Sequence, residues 1–252
     1  MEGGLIVLIV LLTLLLVFLP FYIVYSILFQ SRWFMYLLHK ISPKTLFYFK
    51  TTERKVVLTI DDGPSGNTPQ ILDLLKQYNA HATFFIIGSK VKGRETTMKR
   101  IVDEGHDIGN HTWTDEPSFK NTPEEFEEKI TKTDNALQPF MKNQQFKWFR
   151  PGSGIPMSFM VEPLEKLGYQ MTVGSLHAFD AQIKNCSYTS FILNHGIVFG
   201  DICIVHDRSY TLPEIESFLK HCVKYEIQVV SLSEMMSAQL QSQSKNQYVQ
   251  MK

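Results

Sequence analysis

Two adjacent carboxylates stand in the segment from Thr59 to Pro64, which reads T-I-D-D-G-P. Because the chain is expected to turn sharply at Gly-Pro, the side chains of Asp61 and Asp62 need not face the same way. One could then bind a metal ion while the other works as a general base. Asp, Gly and Pro are also the usual residues of a polar turn. This fragment alone therefore leaves a catalytic site and a surface turn equally open.

An imidazole and a carboxylate lie four positions apart in the segment from His111 to Asp115. If this segment winds as a helical turn, the spacing brings both side chains to one side. Nitrogen and oxygen ligands suit zinc and its neighbours. Taken alone, the segment is better explained as a surface histidine with a capping aspartate. Together with Asp62, however, three ligands from two strand ends would leave coordination positions for water, as a catalytic metal requires.

Strands and helices alternate from residue 55 onward. Short β-branched or aromatic runs are separated by longer segments of helical period, which predicts an α/β domain of parallel strands linked by crossover helices. Strands are expected near residues 56–60, 83–87, 107–109, 147–150, 169–175, 202–206 and 227–231. Helix caps are expected at Thr68, Thr122 and Thr211, where a hydroxyl precedes a proline or a glutamate follows three positions later.

Candidate site residues fall at the carboxyl ends of these predicted strands: Asp61 and Asp62 at the first, His111 after the third, Arg150 at the fourth, Asp180 after the fifth and His206 at the sixth. In parallel α/β barrels the reactive groups come from several strand ends on one rim, while the opposite rim serves stability. We therefore expect these side chains to meet.

The motifs as a set resemble those of the polysaccharide deacetylases with a NodB-homology domain, carbohydrate esterase family 4, to which chitin deacetylases belong. The family's first motif, T-F-D-D-G-P, differs from residues 59–64 only at Ile60. Four further segments match in the family's order: residues 82–88, residues 104–111, residues 149–154 with Gly152 where a second proline is usual, and residues 204–206. The resemblance covers roughly residues 54–235 and implies a distorted (β/α)7 barrel of the NodB-homology type.

The resemblance also implies catalytic roles. Asp61 would be the general base, Arg150 would orient Asp61, and His206 would be the general acid. Asp180 would support His206, although it stands in Phe-Asp-Ala where the family more often has Asp-Trp. Five other histidines match no catalytic position of the family and are expected to be structural: His81, His106, His177, His195 and His221.

A single divalent metal ion is implied as the cofactor, with zinc expected and cobalt as the alternative. Its ligands would be Asp62, His111 and Asp115, the last at the place where the family pattern H-x-x-x-H has a second histidine. Two carboxylates and one imidazole cancel the charge of a divalent ion, so bound water is acidified less. We therefore predict a weaker Lewis acid and a higher pH optimum. Loss of both metal and catalysis is the other possible meaning of Asp115.

The implied reaction is hydrolysis of N-acetyl groups from N-acetylglucosamine units of a chitin-like polysaccharide. Water would attack an acetamide carbonyl polarised by the metal, while Asp61 takes the water proton and His206 protonates the leaving nitrogen. Two alternatives stay open. One is hydrolysis of another non-peptide amide or ester, because loops shape the pocket. The other is a membrane-anchored carbohydrate-binding domain without turnover.

The apolar run from Leu5 to Phe29 contains no charged side chain. A bilayer span needs about 20 apolar residues, whereas a signal-peptide core has about 7–15. We therefore predict a transmembrane anchor (1–31), a juxtamembrane linker (32–53), the deacetylase domain (54–238) and a polar tail (239–252) that frays or is disordered. Positive charges after the helix favour a cytosolic domain, whereas the family resemblance favours the lumen or exterior, so both orientations stay open.

The charge balance excludes one large class of partners. The 252 residues contain 25 Lys and Arg and 25 Asp and Glu. Nucleic-acid binding needs an excess of basic residues on one face, so no nucleic-acid partner is expected. The expected partners are an N-acetylated glycan substrate and, through the N-terminal helix, a membrane. The sequence indicates no particular protein partner.

Overall fold

A computed structural model describes residues 2–28 and 31–250, with side chains for residues 3–23 and 31–244. Phe29, the last residue of the predicted apolar run, lies outside the described residues, as do the last two residues of the predicted tail. The helices are α1 (Glu2–Leu28), α2 (Arg32–Ile41), α3 (Thr68–Gln77), α4 (Glu95–Asp103), α5 (Pro123–Leu137), α6 (Val161–Lys166), α7 (Cys186–Gly196), α8 (Leu212–Lys224) and α9 (Leu232–Gln250).

The strands form one parallel sheet that curls into a half-barrel. They are β1 (Thr45–Leu46), β2 (Lys55–Gly63), β3 (Ala82–Ile86), β4 (Asp107–Asn110), β5 (Lys147–Phe149), β6 (Tyr169–Thr172), β7 (Leu176–His177), β8 (Ile202–His206) and β9 (Gln228–Val230). Their order is β1-β6-β5-β4-β3-β2-β8-β7, and β9 pairs with the start of β2. The predicted barrel fold is confirmed.

Strand β2 lies at the centre of the sheet and pairs with β3, β8 and β9. Its residues after Lys55 are all buried, because helices cover the outer face and the barrel interior the other. The outer layer includes α3, which contributes Ile71 and Leu75 to the core, and α8, which contributes Phe218 and Leu219. These apolar stripes hold the helices against the sheet and so fix the strand ends that form the rim.

One of the three predicted helix caps forms as expected. At α5, Thr122 and Glu125 exchange side-chain and backbone hydrogen bonds in a capping box. The predicted caps at Thr68 and Thr211 are wrong, because neither hydroxyl bonds the start of its helix. Thr68 instead contacts Asp207 after β8, and Thr211 contacts the backbone oxygen of His206. Both threonines therefore fix loops of the rim.

The segment predicted as a linker is packed against the barrel. Helix α2 buries Met35, and residues 45–49 add strand β1 and the buried rings of Phe47 and Phe49. An antiparallel bridge joins Tyr48 to Asp201 at the start of β8. The predicted polar tail also differs from expectation, because it continues α9 as far as Gln250. In α1, residues Gly3–Ile23 are apolar enough and long enough to cross a membrane, and none of that stretch is buried.

Candidate active site

Strand register brings the predicted catalytic pair together. Asp61 on β2 and His206 on β8 are direct partners of two hydrogen-bonded parallel strands. His111 follows β4, and Arg150 follows β5, where its backbone N–H donates to the oxygen of Asn110. Asp180 follows the short strand β7, so it reaches the same rim from a strand that the sequence did not reveal. The structure thus brings these residues to one rim.

A buried ion pair joins Asp61 to Arg150. The Arg150 Nη1 donates to Asp61 Oδ1 over 2.6 Å and to Thr59 Oγ1 over 2.7 Å. The guanidinium also lies 4.2 Å from the ring centroid of Phe85. Burial raises the pKa of Asp61, but the charge of Arg150, followed by those of two neighbouring histidines, outweighs burial and holds the pKa below its ordinary value of 3.8. Asp61 is therefore ionised at neutral pH and can accept a proton.

A second buried pair joins His206 to Asp180. Nδ1 of His206 donates to Asp180 Oδ1 over 2.8 Å, and the backbone N–H of the same histidine donates to Oδ2 over 2.7 Å. Burial acts to lower the pKa of His206, but the hydrogen bond and charge of Asp180, helped by Asp61, raise it to about 9. His206 therefore carries a proton at neutral pH that it can donate from Nε2.

The orientation of His111 tests whether the site suits a metal ion. Its Nδ1 donates to the backbone oxygen of Arg150 over 2.8 Å, because a carbonyl oxygen only accepts. Nε2 then faces Asp62 Oδ1 at 3.6 Å and Asp61 Oδ2 at 4.0 Å. A nitrogen between two carboxylates needs a bound cation or a proton, and a backbone carbonyl on the other nitrogen is typical of metal-binding histidines. Asp62 and His111 therefore fit a divalent ion.

Asp115 does not join these two ligands. The segment does not wind as a helical turn, because residues 113–116 form bends and Thr112 has a φ of 66°. The Asp115 side chain is 57% exposed and contacts Arg208 Nη2 at 3.4 Å. Arg208 also forms a very short ion pair with Asp62, so its guanidinium stands between the two carboxylates. Within the described part of the chain, no three His, Cys, Asp or Glu side chains form a group that could hold a metal ion.

Sequence reasoning missed three residues of this site. Arg208 gave no signal beyond its place two positions after His206. Thr59 belongs to the first motif, but its contact with Arg150 follows only from the barrel. His177, expected to be structural, lines the cavity with its ring 5.7 Å from that of His206. Burial, followed by the charge of His206, lowers the pKa of His177 to about 4, so His177 is neutral at pH 7.

The backbone of the rim adopts left-handed conformations at several non-glycine residues. The φ angles are 67° at Asp62, 66° at Thr112, 67° at Ser153 and 59° at Phe179. Such conformations are unfavourable for residues with a side chain and tend to cluster at functional sites. Gly152 meets a different constraint, because a Cβ atom there would lie 2.1 Å from the backbone oxygen of Glu116. This close approach explains why a proline does not fit at position 152.

A cavity of about 1300 Å³ opens above the rim. Its floor contains Asp61, His111 and His206, and its walls come from the loop after β5 and from α2. A pocket of about 300–1,000 Å³ holds a drug-sized ligand. The cavity is therefore large enough for more than one sugar unit.

Comparisons with known proteins agree with this fold. A family model described as polysaccharide deacetylase matches residues 49–172. A peptidoglycan-N-acetylglucosamine deacetylase from Bacillus cereus is 33% identical over 192 residues, covering 73% of this chain and 89% of that protein. The peptidoglycan-N-acetylmuramic acid deacetylase PdaA from Bacillus subtilis is 30% identical over 153 residues, covering 60% of this chain and 58% of that protein.

A crystal structure with the same fold comes from Bacillus anthracis and is described as a pseudoenzyme of carbohydrate esterase family 4. It matches with a TM-score of 0.70 at 24% identity, covering 79% of this chain and 70% of that chain. At this identity the likeness shows the fold alone.

Proposed function

We propose that this chain, which belongs to the polysaccharide deacetylase family, removes N-acetyl groups from glycans that contain N-acetylglucosamine. One observation carries the proposal. Asp61 is held ionised and His206 is held protonated on paired strands that share one cavity. Amide hydrolysis needs both a base for water and an acid for the leaving nitrogen.

Asp61 acts as the general base in this proposal. Arg150 holds one carboxylate oxygen and leaves the second near His111, so the base keeps a fixed orientation. A water molecule beside Asp61 gives up a proton to it as the oxygen adds to the acetamide carbonyl carbon. Positioned acid–base groups of this kind typically contribute about 10² to 10⁴ in rate.

His206 acts as the general acid. An amine leaves readily only after its nitrogen is protonated, and His206 carries the required proton at neutral pH. Asp180 is a positioning residue, since its carboxylate fixes Nδ1 and the backbone of His206 and leaves Nε2 to face the substrate. Breaking the C–N bond then releases acetate and a free amino sugar.

Asp62 and His111 would hold the divalent metal ion of this reaction, with zinc proposed and cobalt as the alternative. When bound there, the ion supplies polarisation of the carbonyl oxygen and stabilises the negative charge that develops on it. Asp115 would complete the ligand set only after its contact with Arg208 is broken. We therefore expect metal binding to be weaker than a preformed three-ligand site would give.

The glycan is proposed to be a chitin-like or peptidoglycan-like polymer. The resemblance of the motifs favours chitin, whereas the relatives with matching sequences are named as peptidoglycan deacetylases. Both contain N-acetylglucosamine, so the same acid and base serve either substrate. Helix α1 is proposed to anchor the chain in a membrane, with the catalytic domain at the lumenal or outer face.

A binding domain without turnover is the second candidate. The exposure of Asp115 and the ion pair between Arg208 and Asp62 favour it, because both oppose metal binding. The fold is also compatible with such a role, since the Bacillus anthracis structure is described as a pseudoenzyme.

Acetate release from chitin and peptidoglycan fragments by the purified full-length chain tests the proposal, with and without a chelator. We expect release that Asp61→Asn reduces by at least about 10²-fold, because the base is lost. Asp103→Asn makes the same change at an exposed position of α4 and should leave the rate unchanged. Glycan binding without acetate release from either substrate would establish the binding domain instead.

A further inference from the structure

The catalytic cavity has one polar end and one apolar wall. Asp61, His111 and His206 form the polar end. The apolar wall is formed by Phe34, Leu38 and Ile41 of α2, together with Ile155 and Met157 of the loop after β5. One continuous cavity therefore contains the amide-hydrolysing groups and a row of large hydrophobic side chains.

The apolar wall is exposed to the cavity and is not packed away in the core. Ile41 is 81% exposed, Ile155 is 45% exposed and Met157 is 38% exposed. Isolated hydrophobic residues on a surface need no explanation, but a contiguous set that lines a binding cavity marks a ligand surface. A sugar polymer presents many hydroxyl groups, which gain little from aliphatic side chains. The wall therefore fits a ligand with a hydrocarbon part.

Helix α2 is also the element nearest to the proposed membrane anchor. It begins at Arg32, after only residues 29–31 beyond the end of α1, and the rings of Tyr22 and Trp33 stack at a centroid distance of 6.0 Å. Besides Trp33, the helix carries Tyr36 and Lys40, the mixture of aromatic and basic residues found at a membrane interface. Three side chains of the apolar wall thus come from the helix that follows the proposed membrane anchor.

We infer that the substrate is a lipid-linked glycan, in which the N-acetylated sugar is attached to the hydrocarbon chain of a membrane lipid. In this arrangement the hydrocarbon chain of the lipid lies along α2, and the acetamide group of the sugar reaches Asp61 and His206. This inference rests on the proposed function, since the bond hydrolysed is the same amide C–N bond and the lipid supplies binding only. The inference narrows the proposed class of substrate from free glycan polymers to glycans that are attached to a membrane lipid.

Alkyl glycosides of di-N-acetylchitobiose test this inference with the full-length chain in lipid nanodiscs. Methyl and octyl glycosides are compared below the critical micelle concentration, and acetate release gives KM and kcat separately. Burial of methylene groups contributes roughly tenfold in affinity for every two that are fully buried. We expect at least about a tenfold lower KM for the octyl glycoside, with kcat unchanged.

Three charged substitutions on α2 test where the hydrocarbon chain binds. Ile41→Glu places a carboxylate in the apolar wall and should remove the KM advantage of the octyl glycoside. Leu37→Glu is the matched control, because Leu37 lies on the same helix, is 44% exposed and does not line the cavity. Partition of the octyl chain into the nanodisc would affect both variants equally. A second wall variant, Leu38→Glu, should behave like Ile41→Glu.

The possible results separate the inference from the proposed function. Equal KM values for the two glycosides, with acetate released from both, would overturn the lipid-linked substrate and leave the deacetylase standing. If the octyl glycoside keeps its lower KM in both Ile41→Glu and Leu38→Glu, the inference is also overturned, because the octyl chain then binds elsewhere. Absence of acetate from methyl and octyl glycosides and from chitin and peptidoglycan fragments would refute the proposed function itself.

Discussion

Replacing Arg208 with glutamine is expected to strengthen metal binding. Arg208 forms an ion pair with Asp62, a proposed ligand, and contacts Asp115 at 3.4 Å. A divalent ion that binds Asp62 has to displace this guanidinium, so the ion pair lowers the apparent affinity for metal. Glutamine keeps much of the length of the side chain but has no charge, and it therefore competes far less.

The size of the effect follows from the burial of the pair. A hydrogen bond to a charged group contributes about 1.5–3 kcal/mol in a protein interior. The Asp62 side chain is 5% exposed but that of Arg208 is 31% exposed, so solvent screening reduces the contribution. We take about 1–2 kcal/mol, which corresponds to a Kd for metal lower by roughly 5-fold to 30-fold.

Isothermal titration calorimetry of the metal-free protein with zinc and with cobalt measures this change directly. Lys44→Gln is the control, because Lys44 lines the same cavity but pairs with Glu165 on the surface. It removes the same charge and should change the Kd by less than about 2-fold. An unchanged or higher Kd in Arg208→Gln, with thermal unfolding like that of the wild type, would show that Arg208 does not compete with the metal.

Three further changes have defined outcomes. Asp180→Asn should lower the pKa of His206 from about 9, so the alkaline limb of the pH–rate profile moves to lower pH; an unmoved limb would mean that His206 is not the acid. Asp115→His should raise both metal affinity in calorimetry and acetate release near pH 7, and a gain in neither would refute the charge argument. Gly152→Ala should lower the free energy of unfolding by about 1–3 kcal/mol in denaturant titration, because its Cβ would meet Glu116; wild-type stability would contradict the close approach.

Strands β2, β3 and β8 were the most recognisable, because buried parallel strands need runs of apolar residues. Their ends also located the rim, since parallel strands all finish on one side of the sheet. Strands β1 and β7 contain only two residues each, which is too short for any pattern. They matter nevertheless, because β7 carries the chain to Asp180.

The proposed metal ligands were harder to place from the sequence than the proposed acid and base. Spacing of four positions implies neighbouring side chains only in a helical turn, and the left-handed Thr112 prevents that turn after His111. The position of Arg208 depends on a side chain that crosses from the end of β8 to two aspartates on other segments. Tertiary packing decides both features, and no local pattern records them.

The short connection between α1 and α2 limits the distance between the active site and the end of α1. Residues 29–31 span at most about 14 Å between Leu28 and Arg32 when fully extended. Residues 45–49 pair with strands of the barrel, so the chain beyond Arg32 is not a flexible linker. If α1 crosses a bilayer, the active site stays within a thin layer next to the lipid headgroups. Glycan that lies far from the membrane surface then cannot reach it.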